Sequence, residues 1–142
     1  MRPRDEVLRA HVREWIAKAE IDYRTAEWLL TSPEPIRESI GFHCQQAAEK
    51  YVKALLVSLE VDFPKTHDLE ELLDLLSPVR PEFAVELDAI KILSPFGVRI
   101  RYPGDFPEVL QGQERMFFDL AAQVRKAILA QIGETAPGMS AS

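Results

Sequence analysis

The chain has one cysteine, Cys44, in 142 residues. A single thiol excludes an intramolecular disulfide and every zinc site built on paired cysteines. Histidine is scarce as well: His11, His43 and His67 are the only three. None stands three or four residues from another and no His-Glu-x-x-His run occurs, so the reading is no metal site and no cofactor. Asparagine is missing altogether and arginine outnumbers lysine 11 to 6, a bias that fits a thermophile or a skewed genome. No window approaches the ~20 apolar residues of a membrane span. The N-terminus, Met1-Arg2-Pro3-Arg4-Asp5-Glu6, lacks the apolar core of a signal peptide, so the expected location is cytoplasmic, with no membrane contact. Positive charge is in deficit: 17 Lys and Arg stand against 23 Asp and Glu, giving a net charge of −6. That argues against a broad basic coat for nucleic acid and leaves room for a small local basic site.

What is present is helical periodicity. Leu8, Val12, Trp15, Ile16, Ala19, Tyr23, Ala26 and Leu30 recur at three- and four-residue steps, which predicts an amphipathic helix of roughly 25 residues. Thr31-Ser32-Pro33-Glu34-Pro35 ends it. A second helix is expected from about Ile36 to Glu60. It is apolar around more than half its circumference and therefore central in a bundle. Asp68 reads as an N-cap with Glu71 closing a capping box, followed by a short helix through Leu76. Pro81 opens a fourth helix that runs toward Leu93, and Ser94-Pro95-Phe96-Gly97 breaks it. Residues 98–106 read as a loop, and Pro107 is the expected start of the last helix. Gly133 to Ser142 is small and polar and reads as a disordered tail, leaving one domain over 5–132. The expected fold class is all-α: an antiparallel up-and-down bundle of about five helices, three long and two short.

The second helix carries a polar group on an otherwise buried body. His43, Gln46, Lys50 and Lys53 fall within about 80° of one another on a wheel of ~100° per residue. One reading is a solvated edge. The other is an anion pocket, in which two lysines and an imidazole hold a phosphate or a carboxylate. Glu49 stands at the favourable spacing to pair with Lys53. Lys65-Thr66-His67-Asp68 sits at a helix start, where free N–H groups favour anions. Arg101-Tyr102-Pro103 lies on a long loop, where binding residues concentrate. Cys44 falls on the apolar arc and reads as core. Trp15 and Trp28 read as core or interface, and Tyr23 and Tyr51 as core with hydroxyls at the rim.

Taken together, Phe42-His43-Cys44-Gln45-Gln46-Ala47-Ala48-Glu49-Lys50, Lys53-Ala54-Leu55-Leu56, Lys65-Thr66-His67-Asp68-Leu69 and Arg101-Tyr102-Pro103 resemble the prokaryotic HEPN domain in order and spacing. The resemblance spans roughly residues 10 to 130. It implies a helical bundle that forms homodimers, often works beside a small nucleotidyltransferase and has been proposed to bind nucleotides. On that basis the expected ligand-binding residues are His43, Gln46, Lys50, Lys53, Lys65, His67, Arg101 and Tyr102. Lys50, Lys53, Lys65 and Arg101 would supply charge, and His43, Gln46, His67 and Tyr102 hydrogen bonds and stacking.

Several branches of that family are RNA-cleaving toxins with an Arg-x4–6-His signature. There the His acts as general base on a ribose hydroxyl and the Arg stabilises the phosphorane, without a metal. Arg37 and His43 fit the spacing, as do Arg4 and His11, but this composition makes such a match expected by chance. The toxin signature lies late in the domain, and no histidine follows His67, so Arg99 and Arg101 lack their partner. A metal-independent RNA endonuclease acting through Arg37 and His43 is therefore the alternative expectation, with RNA as its partner molecule. A protein-interaction adaptor is the third.

Overall fold

The computed structural model of the chain describes residues 3–97 and 107–135. Three long helices dominate it: α1 (Pro3–Leu30), α2 (Arg37–Ser58) and α5 (Gln113–Thr135). Two short helices, α3 (Leu69–Leu76) and α4 (Pro81–Glu86), and a 3₁₀ segment, Asp88–Phe96, connect α2 to α5. Among the described residues there is no strand. The all-α bundle of about five helices is the architecture found.

α2 is the central element, as its apolar circumference requires. Ile40, Cys44, Ala47, Ala48, Tyr51, Val52, Ala54, Leu55 and Leu56 are fully buried. α1 lies antiparallel to it, with Arg4 beside Glu60 at one end and Asp22 beside His43 at the other. α5 pairs Arg125 with Glu20 of α1 and brings Glu114 near Arg37 of α2. It therefore runs antiparallel to α1 and parallel to α2, and the short elements carry the chain back between them. Gly41 lets this packing close: a Cβ there would stand 2.9 Å from the Phe96 ring, whose other neighbour is Phe117 at 5.1 Å.

Four expectations are corrected. The fourth helix is not continuous: α4 ends at Glu86 and the chain tightens into the 3₁₀ segment, which tolerates Pro95 because its turns are short. The last helix begins at Gln113, not Pro107. Gly112, at φ +95°, makes a turn that an L side chain resists, and its N–H donates to Glu114 Oε2. α5 also runs past Gly133 to Thr135, since buried Ile132 anchors the last turn. Finally, the Asp68–Glu71 capping box does not form. Asp68 Oδ1 accepts from Glu70 N–H at 2.9 Å, while the Asp68 N–H donates to Thr66 Oγ1 and Glu71 takes the Thr66 hydroxyl proton. Thr66 does the job assigned to Glu71.

α2 ends in a Schellman turn. Val61 N–H donates to Leu56 O and Glu60 N–H to Val57 O, with Glu60 at φ +57° in the position where glycine is usual. Trp28 does not join the core: it is 77% exposed on the outer face of α1.

Candidate functional site

The polar group of α2 is buried more deeply than a solvated edge. It is also neutralised from within, which an anion pocket made of free lysines is not. Gln45, Gln46, Glu49 and Lys53 are all buried, and His43 and Lys50 are partly exposed. Two carboxylates organise them.

The first is Asp22 of α1. Its Oδ1 lies 2.9 Å from His43 Nδ1 and its Oδ2 accepts from Lys50 Nζ at 2.5 Å. His43 and Lys50 are seven residues apart, so they project from the same side of α2 about two turns apart and reach one carboxylate. Burial alone would push the Asp22 carboxyl up. Hydrogen bonds from His43 and Lys50 and the charge on Lys50 outweigh it and hold the group below the ordinary aspartate range. Asp22 sits in the buried stripe of α1 between Ala19 and Ala26, where a lone charge needs a partner.

The second is Glu49, on α2 itself. Lys53 Nζ donates to its Oε2 at 2.9 Å, the pairing that the i,i+4 spacing predicts. His67 Nδ1 lies 2.9 Å from its Oε1. Lys53 Nζ also donates to Thr66 O at 2.8 Å and stands 5.2 Å from the Trp15 ring centre and 5.8 Å from that of Phe63. Gln45 Nε2 donates to His67 O at 2.9 Å, and Gln46 Nε2 to Gln45 Oε1 at 2.7 Å. Gln45, Glu49 and Lys53 thus form a column that fastens residues 66–67 to the central helix. This gives the Lys-Thr-His-Asp segment a structural role. Its backbone carbonyls and imidazole satisfy buried groups that would otherwise each cost about 1–3 kcal/mol.

A third carboxylate, Glu20, ties the bundle together on the far side of α1. It accepts from Tyr51 Oη at 2.5 Å and from Arg125 Nε at 2.6 Å, and Arg125 also lies over the Tyr23 ring. Tyr51 is core with its hydroxyl on this rim carboxylate. Burial and the Glu20 hydrogen bond push its phenol up. Cys44 is buried and its thiol is pushed up to about 12 by desolvation, so it is an inert core residue.

The expected site residues therefore separate. His43, Gln46 and Lys50 share the Asp22 side of α2. Lys53 and His67 belong to the Glu49 cluster, with Lys53 enclosed rather than presented. Lys65 is exposed on the loop with no ion pair among the described residues. Arg101 and Tyr102 lie outside the described residues. The last described residue before them, Gly97, packs on Gln45: a Cβ there would stand 2.6 Å from Gln45 Nε2. Arg37 and His43 do not converge within one chain. Six residues place them about 120° apart on the helix and ~9 Å along it. Arg37 is turned toward Glu114 of α5, 3.7 Å from Nε to Oε2, whereas His43 is turned toward α1.

Among the described residues no three His, Cys, Asp or Glu side chains gather as a metal site, and no helix is long and apolar enough to cross a membrane. A surface groove of about 560 Å³ lies at the far end of α1 and α2, lined by Arg4, His11, Trp15, Glu60 and Phe63 among others. It is not on the His43 side.

No curated protein and no solved structure matches the chain. A family model for the HEPN domain matches residues 12–131, from within α1 to the last turn of α5. The chain, with its central α2 and the Gln45–Lys53 column docking the Lys-Thr-His segment, belongs to the HEPN domain family.

Proposed function

We propose that this HEPN domain binds a nucleotide, or another ligand bearing a phosphate, on the rim of α2, and that it acts as a homodimer beside a minimal nucleotidyltransferase. One observation carries the ligand reading. His43 and Lys50 reach the rim together on one carboxylate, so an imidazole edge and an ammonium are held in fixed relation at a partly exposed place. Exposed Lys65 supplies further charge, and Arg101 and Tyr102 complete the proposed set. Gln46 lends its carbonyl, since its amide nitrogen is already bonded to Gln45. Lys53 acts as a positioning residue: it holds Glu49, which in turn holds His67. Its enclosure supports this role better than direct contact with ligand.

The test is calorimetric titration of ATP, AMP and inorganic phosphate into the full chain, alone and after co-expression with the product of the neighbouring gene. Saturable binding that weakens in Lys50→Ala is the expected result. Absence of saturable binding at millimolar ligand in both preparations removes the reading. The partnership is tested separately, by co-purification with that gene product.

A second reading, RNA cleavage through Arg37 and His43, is favoured by the Asp22–His43 contact. A carboxylate on Nδ1 leaves Nε2 of the neutral imidazole as the acceptor a general base requires. Because Arg37 and His43 diverge on α2, this activity needs two copies of the chain. Growth arrest on expression, relieved by His43→Ala, supports it. Intact RNA after incubation with the purified protein counts against it.

A further inference from the structure

We infer that the ligand's phosphate is captured together with a proton, which is taken from solvent onto His43 Nε2. This rests on the ligand-binding reading above and adds to it the protonation state in which the ligand is held.

The argument is one of donors and acceptors. Asp22 Oδ1 stands 2.9 Å from His43 Nδ1. An ionised carboxylate has only acceptor sites, so the hydrogen in that contact belongs to Nδ1. A neutral imidazole has one N–H, and here it is spent on Asp22. Nε2 then presents a lone pair. A phosphate oxygen is an acceptor as well, and two acceptors do not bond. Only when a proton is added at Nε2 does His43 become a donor on both sides, Nδ1–H to Asp22 and Nε2–H to the phosphate. No covalent bond changes.

Charge leads to the same place. Among the described residues, the charged groups facing His43 are Asp22 from α1 and Lys50 on its own helix. Asp22 and Lys50 cancel. Farther along α2, Glu49 and Lys53 cancel likewise, with His67 as the remaining partner of Glu49. Glu20 and Arg125, on the other flank of α1, bond each other. With both histidines neutral these three pairs offer an anion no net positive charge. Protonating His43 supplies one. In its neutral form the same nitrogen accepts from a hydroxyl or an amino group.

Titration of ATP into the full chain at pH 8.0, in three buffers of different ionisation enthalpy, reads proton uptake directly from the dependence of the observed heat on the buffer. Wild type is expected to take up protons as ATP binds, so that the observed heat changes with the buffer, and its affinity to fall as the pH is raised. His43→Gln removes the group that takes up the proton, so binding is expected to weaken and the dependence of the heat on the buffer to disappear. Heats that do not depend on the buffer, with binding intact, overturn the inference and leave the ligand reading standing. Uptake that persists in His43→Gln overturns it as well. Absence of saturable binding overturns both. The wild-type buffer series decides the matter even if the variant does not fold.

Discussion

Replacing Lys53 with methionine is the sharpest test of how the bundle is fastened. The side chain is 6% exposed and its ammonium has four partners: Glu49 at 2.9 Å, Thr66 O at 2.8 Å, and the rings of Trp15 and Phe63. Methionine keeps most of the volume and removes the charge. What remains is Glu49, 2% exposed, with a carboxylate that has lost its cation. Stranding one partner of a buried ion pair costs about 3–5 kcal/mol. His67 and Gln45 stay on Glu49 and soften the loss, so a value near the lower end, about 3 kcal/mol, is expected. Urea unfolding followed by circular dichroism measures it as a drop in midpoint at constant slope. The double variant Glu49→Leu/Lys53→Met then separates pairing from packing. If the charge pair itself is close to neutral against an apolar pair, the double variant recovers to within about 1 kcal/mol of wild type. A single-variant loss below about 1 kcal/mol would refute the reasoning, because a buried carboxylate cannot lose its ammonium that cheaply. Lys50→Met should cost less, since its partner Asp22 keeps His43 and lies nearer to water.

The remaining predictions concern single features. Glu60→Gly relieves the left-handed backbone at the end of α2 and should raise stability by about 0.5–1 kcal/mol, despite losing the exposed pair with Arg4, read as a higher thermal midpoint. Gly41→Ala drives a methyl into the Phe96 ring and should lower stability by about 1–3 kcal/mol in the same assay. Asp22 and Glu20 are both held below their ordinary carboxyl ranges. In each, hydrogen bonds and nearby cations overcome the upward push of burial. The stability they contribute is therefore complete above the unfolded carboxylate range and is lost as the pH falls through their lower folded values. Asp22→Asn should flatten the acid limb of stability against pH, and an unchanged limb would contradict this assignment.

The fold was readable because its strongest signals are local and periodic. α1 and α2 follow from apolar steps of three and four residues, and the centrality of α2 follows from how little of its circumference is polar. The start of α5 was misplaced because Pro107 is a generic opener. The signal that decides is the glycine at 112 with its positive φ, backed by the Glu114 carboxylate. The capping of α3 failed for a related reason: the sequence offers Thr66 and Glu71 for the same role, and only the folded loop shows that the hydroxyl takes it. At the rim, the residues on α2 were found because polar groups on a buried helix stand out. Their partners on α1 were not, because Asp22 and Glu20 look like ordinary charges of an amphipathic helix until α1 is laid antiparallel on α2. Lys53 shows the limit of reading charge from composition. Its place on the polar arc of α2 offers it to a ligand, yet Glu49, Thr66 and two aromatic rings already surround it.

The lone sulfur of Cys44 has a practical consequence. It sits in the first half of the central helix, one residue past His43, and is fully buried. A thiol reagent can modify it only when the bundle opens, so labelling rates on the natural sequence report how often the middle of the molecule breathes. If the proposed rim ligand binds, it should slow that clock, with no engineered probe required.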